Sequence, residues 1–140
     1  MAITIAGERS GSGKTTITLS LLAALRQWGE AVQSFKVGPD YIDPMFHRYV
    51  TQRPCYNLDL ALTSEAYLVD CFTRHTAAID LAVVEGVMGL FDGAAEPAGY
   101  GSTAEVARCL QLPILLVIDC RSISQSIAAI IHGYRSLDPT

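Results

Sequence analysis

Several residues that can do chemistry stand together in the stretch KVGPDYIDPMFH, residues 36–47. It places a lysine, two aspartates, a tyrosine and a histidine around two prolines and a glycine, directly after a segment with the character of a strand. The charge of Lys36 suits phosphate or an acidic acceptor, while Asp40 and Asp43 offer the carboxylates that hard divalent cations prefer. The stretch therefore predicts a site where anions and a metal ion meet.

A predicted phosphate-binding loop precedes this stretch. The segment GERSGSGKTT, residues 7–16, lies between a predicted strand and a predicted helix, the context that identifies such a loop. Its glycines let the backbone wrap closely around phosphate oxygens, and the positive end of the helix favours an anion. We expect Lys14 to reach the β- and γ-phosphates and the Thr15 hydroxyl to hold Mg²⁺.

The spacing of this loop departs from the common pattern in one respect. Four residues usually separate the first glycine from Gly-Lys, whereas five follow Gly7 here, and Glu8 occupies the expected glycine position. The alternative is a Gly/Ser-rich turn that merely starts a helix. The order of strand, glycines, Lys-Thr and helix favours the phosphate loop.

Four carboxylates follow predicted strands: Asp40, Asp43, Glu85 and Asp92. Strand ends of a parallel sheet gather at one edge, where open α/β sheets bind ligands. At ~4 Å two like charges repel by about 4 kcal/mol at an effective dielectric of 20, so carboxylates beside a triphosphate require a cation between them. The cluster therefore predicts Mg²⁺ bound through carboxylates, water and phosphate oxygens.

Simpler structural roles are open for the same residues. Asp40 and Asp43 adjoin prolines and are typical turn formers, and Asp92 precedes a glycine in the same way. Glu85 could be a helix cap or a solvated loop acid, and Lys36 could be a solvated lysine at a strand end.

Two further residues are equally open between chemistry and structure. His47 is the fourth residue of a short predicted helix, 44–51, where it would cap or pack. Asp119 ends the predicted strand 113–119 and is as well placed to cap the next helix, 122–135, as to contact a nucleotide.

Alternating strands and helices position these residues. The pattern predicts an α/β, P-loop NTPase-type three-layer fold, with a mostly parallel sheet of about four strands and helices on both faces. A small-residue loop at 94–102 is expected to be mobile. The predicted strands are 2–6, 31–37, 80–86 and 113–119, and the predicted helices are 17–28, 44–51, 64–75, 102–110 and 122–135.

Composition limits the classes of function. The 140 residues make one domain or part of one, and a formal net charge of −4 argues against nucleic acid as the main partner. The apolar runs are too short for a signal peptide or a membrane span, so no membrane partner is expected. The four cysteines lack metal-binding spacing, which predicts free thiols in a cytoplasmic protein and no zinc site.

Four blocks in this order resemble one family. GERSGSGKTT (7–16), KVGPDYIDPMFH (36–47), NLD (57–59) and EGVMGLFDG (85–93) are similar to the amino-terminal domain of cobyrinic acid a,c-diamide synthases. The five-residue spacing of the phosphate loop is also similar to that of dethiobiotin synthetase, a structural relative. The resemblance covers essentially all 140 residues.

This resemblance implies an ATP- and Mg²⁺-dependent amide ligase of cobalamin biosynthesis. It would amidate the a and c carboxylates of cobyrinic acid, a corrinoid, through an acyl phosphate that ammonia from glutamine then attacks. ATP and Mg²⁺ are the implied cofactors. The residues implied to bind ATP are Ser10, Gly11, Ser12, Gly13, Lys14, Thr15 and Thr16.

The resemblance also implies the remaining site residues. Thr15, Asp43 and Glu85 would hold Mg²⁺. The implied catalytic residues are Lys36, Asp40 and Asp92, which would face the acceptor carboxylate and the reacting phosphate. The residues implied to bind the substrate are Tyr41, Asp40 and Asp92.

The family normally continues beyond a segment of this length. Residues 1–140 are expected to be the amino-terminal part of an ATP-binding synthetase domain, and the carboxy-terminal glutamine amidotransferase domain is expected to be absent from this chain. Adenine-binding residues would lie downstream, and a homodimer is left open.

Other functions are open as well. Related enzymes amidate a nickel tetrapyrrole or hydrogenobyrinic acid, whereas cobyric acid synthase fits EGVMGLFDG less well. A different class is the ParA/MinD-like nucleotide-switch ATPase, which has a second lysine where Arg9 stands here. The last alternative is a folded piece with no activity of its own.

Overall fold

The computed structural model describes residues 1–95 and 99–138 and contains, within them, five strands that alternate with five helices. In chain order these are β1 (Ala2–Gly7), α1 (Lys14–Gln27), β2 (Val32–Val37), α2 (Asp43–Thr51), β3 (Tyr56–Leu58), α3 (Glu65–Thr76), β4 (Leu81–Glu85), α4 (Thr103–Cys109), β5 (Ile114–Val117) and α5 (Ile127–Leu137).

The strands form a single sheet in the order β3-β2-β4-β1-β5, and each of the neighbouring pairs is parallel. In the register of β2 and β4, Lys36 is opposite Glu85, and Ile5 of β1 is opposite Glu85 on its other side. The carboxyl ends of the strands therefore share one edge. This arrangement confirms the predicted parallel α/β fold.

Apolar side chains cover both faces of the sheet and make three layers. On one face Leu22 of α1 packs with Ile5, Val32 and Val83. On the other face a second buried cluster includes Leu68 of α3 and Val106 of α4 together with residues of β2, β3 and β4. Burial of both faces is what a parallel sheet requires, and helices on both faces were predicted.

Side chains alternate along a strand, so this packing also fixes where the polar residues point. Lys36 lies on the face of Val32, and Glu85 lies on the face of Val83. That face is covered by α1 and α2, whose first turns carry Thr15 and Asp43. The fold thereby directs all four side chains toward the same corner.

The sheet has one strand more than the sequence predicts. The extra strand, β3, is only three residues long; among the described residues it pairs with β2 and no other strand, at the edge of the sheet. So short a segment carries no period of its own, and Pro54 and Cys55 before it look like loop. The prediction of about four strands was low for this reason.

Some helix boundaries also differ from the predicted ones. Helix α1 begins at Lys14 rather than at residue 17, directly after Gly13, and Trp28 beyond its end is 73% exposed. Helix α5 begins at Ile127 rather than at 122, because residues 121–126 form turns.

The predicted loop 94–102 is partly described. Its flanks meet in an antiparallel bridge between Ala94 and Tyr100, and Tyr100 donates a 2.8 Å hydrogen bond to the carbonyl oxygen of Leu60. Residues 96–98 of this predicted loop lie outside the described residues. Across the described ranges, no helix has both the length and the apolar character needed to cross a membrane.

Candidate functional site

The segment between β1 and α1 forms a loop whose shape depends on its glycines. Gly11 and Gly13 have φ angles of +77° and +99°, a region that side chains other than glycine disfavour. The Lys14 ammonium folds back across the loop and donates to the carbonyl oxygens of Arg9, at 3.0 Å, and Met88, at 2.6 Å. The loop therefore has the strand–loop–helix form predicted from the sequence.

A buried cation lies between carboxylates at the neighbouring strand ends. The Lys36 ammonium lies 2.6 Å from Oδ2 of Asp43, 3.0 Å from Oε1 of Glu85 and 3.7 Å from Oδ2 of Asp40. It also donates to the carbonyl oxygen of Gly86 at 3.1 Å. The side chain of Lys36 is 3% exposed and that of Glu85 is fully buried, so the predicted alternative of a solvated strand-end lysine is wrong.

The Thr15 hydroxyl joins this cluster to the phosphate loop. It donates to Oε1 of Glu85 at 2.6 Å and lies 3.3 Å from Oδ2 of Asp43. The three predicted metal ligands are thus brought together at the start of α1. Because the Glu85 side chain is fully buried, the alternative of a solvated loop acid is wrong.

These oxygens fit Mg²⁺. Among the described residues, no group of three or more His, Cys, Asp or Glu side chains converges into a metal cage. Mg²⁺ seldom uses such a cage, because it keeps several waters and takes one or two carboxylates together with substrate phosphates. Thr15, Asp43 and Glu85 next to a phosphate loop provide that donor set.

The charges in the cluster shift one another's pKa values. Burial acts to lower the pKa of Lys36, but the Glu85 charge and the hydrogen bonds to Asp43 and Glu85 outweigh it, so the pKa is raised. Burial likewise acts to raise the pKa of Glu85, yet the His47 hydrogen bond and the Lys36 charge lower it to about 2. Lys36 is therefore a stable cation and Glu85 a stable anion at neutral pH.

The pKa of Lys14 shifts in the opposite direction to that of Lys36. Burial and, after it, the charge of Lys36 lower the pKa of the Lys14 ammonium. An anionic ligand beside Lys14 would counter both effects. This electrostatic setting suits a residue expected to contact phosphate.

Asp40 combines the two roles that the sequence left open. Its Oδ1 accepts from the backbone N–H groups of Ile42, at 2.8 Å, and Asp43, at 3.1 Å, and so shapes the turn that leads into α2. Its Oδ2 faces Lys36. Asn57 holds the same turn from β3 by donating to the carbonyl oxygens of Gly38 and Asp40 at 2.7 and 2.8 Å.

Asp92 and Tyr41 lie at the margins of the site. The Asp92 carboxylate accepts from the Gly89 N–H at 2.8 Å and closes a turn from Gly89 to Asp92, rather than the Asp92-Gly93 turn that was its alternative role. Tyr41 is 82% exposed beside Asp40 and Val87. Neither side chain is among the contacts of Lys36 described above.

A cavity of about 380 Å³ opens between the phosphate loop and the carboxylates. Four predicted site residues do not line it: Ser12 and Glu85 are buried, and Tyr41 and Asp92 lie outside it. A larger cavity of about 790 Å³ lies between α4, β5 and α5, and none of the predicted site residues in the described part of the chain lines it. The lining of the smaller cavity is Ser10, Gly11, Gly13, Lys14, Thr15, Thr16, Lys36, Asp40, Asp43, Val87 and Met88.

The sequence left His47 undecided, and the structure buries it completely against Glu85. Its Nε2 lies 2.5 Å from Oε2 of Glu85, and its Nδ1 lies 3.4 Å from Sγ of Cys55. The position of His47 one turn after Asp43 was the available signal, because residues four apart share a helix face. Cys55 gave no signal.

Asp119 is not a helix cap. Its carboxylate accepts from Arg9 at 2.9 Å and from Arg121 at 2.6 Å, while Ser126 occupies the position before α5. Hydrogen bonds from Arg121 and the nearby charge of Arg9 hold the pKa of Asp119 well below its usual range. Arg9, the residue in place of the switch-ATPase lysine, is thus engaged within its own chain.

Comparisons with known proteins agree with this geometry. The chain is 61% identical over 138 residues to a cobyrinate a,c-diamide synthase of Synechococcus sp., a match that covers 99% of the chain and 30% of the relative. It is 55% identical to the enzyme of the same name in Gloeobacter violaceus, over 99% of the chain and 31% of the relative.

A hydrogenobyrinate a,c-diamide synthase of Mycobacterium tuberculosis is 48% identical, over 98% of the chain and 31% of the relative. The chain thus spans about 30% of the length of these curated relatives. The family model of the CobQ/CobB/MinD/ParA nucleotide binding domain matches residues 3–139. The phosphate loop, the parallel sheet and this match together show that the chain belongs to the CobQ/CobB/MinD/ParA nucleotide-binding domain family.

Proposed function

We propose that this chain is the nucleotide-binding part of an enzyme that uses ATP and Mg²⁺ to amidate the a and c carboxylates of cobyrinic acid. The observation that carries the proposal is the joining of the phosphate loop to the Lys36 cluster through Thr15, on one rim of the sheet. The substrate comes from the names of the relatives, which include cobyrinate and hydrogenobyrinate a,c-diamide synthases.

The phosphate loop would bind ATP through its backbone N–H groups and Lys14. Thr15, Asp43 and Glu85 would hold Mg²⁺, which when bound supplies positive charge to the phosphates. Lys36 offsets part of the negative charge of Asp43 and Glu85, and the charge that remains favours a divalent cation between these carboxylates and the triphosphate.

Amide formation needs activation because ammonia does not displace oxide from a carboxylate. An oxygen of the acceptor carboxylate would attack the γ-phosphorus of ATP, and ADP would leave, giving an acyl phosphate. Ammonia would then attack the acyl carbon, phosphate would leave with the bonding electrons, and the nitrogen would lose a proton. Alignment of the acceptor with the γ-phosphate can contribute about 7–11 kcal/mol toward the barrier.

The acceptor would approach from the side of Asp40, which lines the cavity, and Tyr41, which lies beside Asp40. Asp92 does not line the cavity, and its link to the site is the effect of its charge on Lys14. Asp40 would act at the cavity through the oxygen that faces Lys36, since its other oxygen holds the turn. The acceptor is already ionised at neutral pH, so the first step needs no general base.

The ammonia would come from glutamine through an amidotransferase domain outside this chain. The length of the relatives leaves room for such a domain, since the matched segment is about 30% of each. Four free cysteines agree with a reducing cytoplasmic location. A homodimer remains a prediction.

A segment exchange tests the proposed function. The matched part of the Synechococcus synthase would be replaced by this chain, and the product of cobyrinic acid, ATP, Mg²⁺ and glutamine followed by mass spectrometry. We expect two successive amidations that depend on ATP. Hydrogenobyrinic acid and free ammonia, offered in parallel, distinguish the ring and the nitrogen source. A folded exchange protein that binds ATP but leaves every corrinoid carboxylate unchanged would contradict the proposal.

A further inference from the structure

The Glu85 carboxylate is held at both oxygens. Oε1 accepts from Thr15 at 2.6 Å and from Lys36 at 3.0 Å, on the side of the phosphate loop. Oε2 points away from the loop and meets Nε2 of His47 at 2.5 Å. A carboxylate bound at only one oxygen could rotate about its last bond, whereas contacts at both oxygens fix the plane of the group and hold one oxygen toward Thr15.

His47 is itself held on its far side. Cys55, in the segment between α2 and β3, lies with Sγ 3.4 Å from Nδ1 of His47. Nε2 must carry a proton to donate to the carboxylate, so in the neutral ring Nδ1 accepts and the thiol donates. Burial raises the pKa of the Cys55 thiol to about 12, which keeps that proton on sulfur at neutral pH.

Packing alone does not account for this arrangement. His47 is completely buried and directs a polar atom at a completely buried carboxylate. An apolar side chain of similar size would fill the space between α2 and the sheet, but it would leave Oε2 without this donor. Removal of one partner from a buried polar pair costs more than the pair contributes when both are present.

We propose that His47, oriented by Cys55, is a positioning residue that fixes the Glu85 carboxylate so that Oε1 faces Thr15 and the bound Mg²⁺. The inference rests on the proposed function, because it needs Glu85 to belong to a Mg²⁺–nucleotide site. Groups that orient a metal ligand typically change metal affinity about 10- to 100-fold when they are removed.

The test titrates Mg²⁺ into the exchange protein that carries this chain, with saturating ATP, and measures ATP binding again in EDTA. We expect His47→Leu to weaken Mg²⁺ binding at least about tenfold while ATP binding in EDTA stays unchanged. His47→Gln can return a donor near the position of Nε2, and we expect it to recover most of the affinity. The exposed His132, changed to Leu and to Gln, is the matched control.

Cys55→Ala keeps the test decisive if His47→Leu does not fold. We expect a smaller loss of Mg²⁺ affinity, whereas Cys71→Ala, at a buried thiol in the other core cluster, leaves it unchanged. The positioning role would be overturned, and the proposed function left intact, by either of two results. One is an equal loss of ATP affinity with and without Mg²⁺, and the other is an unchanged Mg²⁺ affinity in folded variants. Failure of the unmodified exchange protein to bind ATP with Mg²⁺ would instead overturn the proposed function and this inference with it.

Discussion

The ammonium nitrogen of Lys36 lies 2.6 Å from a carboxylate oxygen of Asp43, and this contact ties the end of β2 to the first residue of α2. The same nitrogen lies 3.0 Å from Glu85, at the end of the neighbouring strand β4. One buried cation is therefore shared by two acids that come from different elements. Its position makes Lys36 a structural residue of the site as well as a candidate for catalysis.

Lys36→Met is expected to destabilise the fold strongly. The change leaves Glu85 and Asp43 without their shared cation, and removal of one member of a buried ion pair costs about 3–5 kcal/mol. Urea unfolding measures the loss. Arg74→Met is the control, because Arg74 pairs with Asp70 on the exposed surface of α3, where such pairs contribute little. If both variants lose the same free energy of unfolding, the buried cluster contributes no more to stability than an exposed ion pair.

Asp43→Asn and Asp40→Asn are expected to have different effects. Asp43 lies beside Thr15, so loss of its charge should weaken Mg²⁺-dependent ATP binding about tenfold or more. Asp40→Asn keeps an oxygen that can accept from Ile42 and Asp43, and it should leave ATP affinity within about threefold while it impairs use of the acceptor. Calorimetric ATP titrations and the amidation assay separate the effects. If Asp40→Asn weakens ATP binding and Asp43→Asn impairs only use of the acceptor, the two assigned roles are wrong.

The sequence was sufficient for the part of the site that strand ends create. Lys36 and Glu85 each end an apolar strand, so a parallel sheet had to place them on one edge, and they are direct partners in the register. The order of the elements also located Thr15 beside them. These inferences needed only local patterns and the rule that ligands bind at the carboxyl edge.

The remaining residues of the site are placed by contacts between segments that are distant in sequence. The packing of α2 on the sheet is what buries His47. Its spacing from Asp43 placed the two residues on one helix face but did not show that the sheet covers His47. Cys55 lies near His47 only because the chain turns back into β3, a strand too short to have a pattern. Asp40 shows why single roles were hard to assign, since its two oxygens act differently.

The pH dependence of stability should report on Glu85. Its pKa is lowered from 4.5 to about 2 in the folded chain, so its contribution is fully present above pH 4.5 and is lost as pH falls toward 2. Urea unfolding of the unmodified chain and of Glu85→Gln at several pH values between 6 and about 2 measures this contribution. We expect the stability difference between them to shrink over that window. A constant difference would mean that Glu85 does not titrate as an ion-paired group.

Gly7→Ala is expected to disturb the phosphate loop by direct overlap. A methyl group at Gly7 would collide with the hydroxyl of Ser12 and lie 3.0 Å from Cγ of Lys14, so the loop must shift. Overpacking of this kind costs about 1–3 kcal/mol, and if the shift impairs binding the loss corresponds to roughly 10- to 100-fold in ATP affinity. Calorimetry with ATP and urea unfolding measure the two effects.

Two further variants show whether the overlap is the cause. Gly133→Ala adds a methyl group in α5 at a point where no atom of the described residues lies within 4 Å. We expect a gain in stability of about 0.5–1 kcal/mol with unchanged ATP affinity. Gly7→Ala combined with Ser12→Gly removes the nearest colliding atom and should recover part of the ATP affinity. If the double variant binds ATP no better than Gly7→Ala, then overlap with Ser12 is not the cause of the lost affinity.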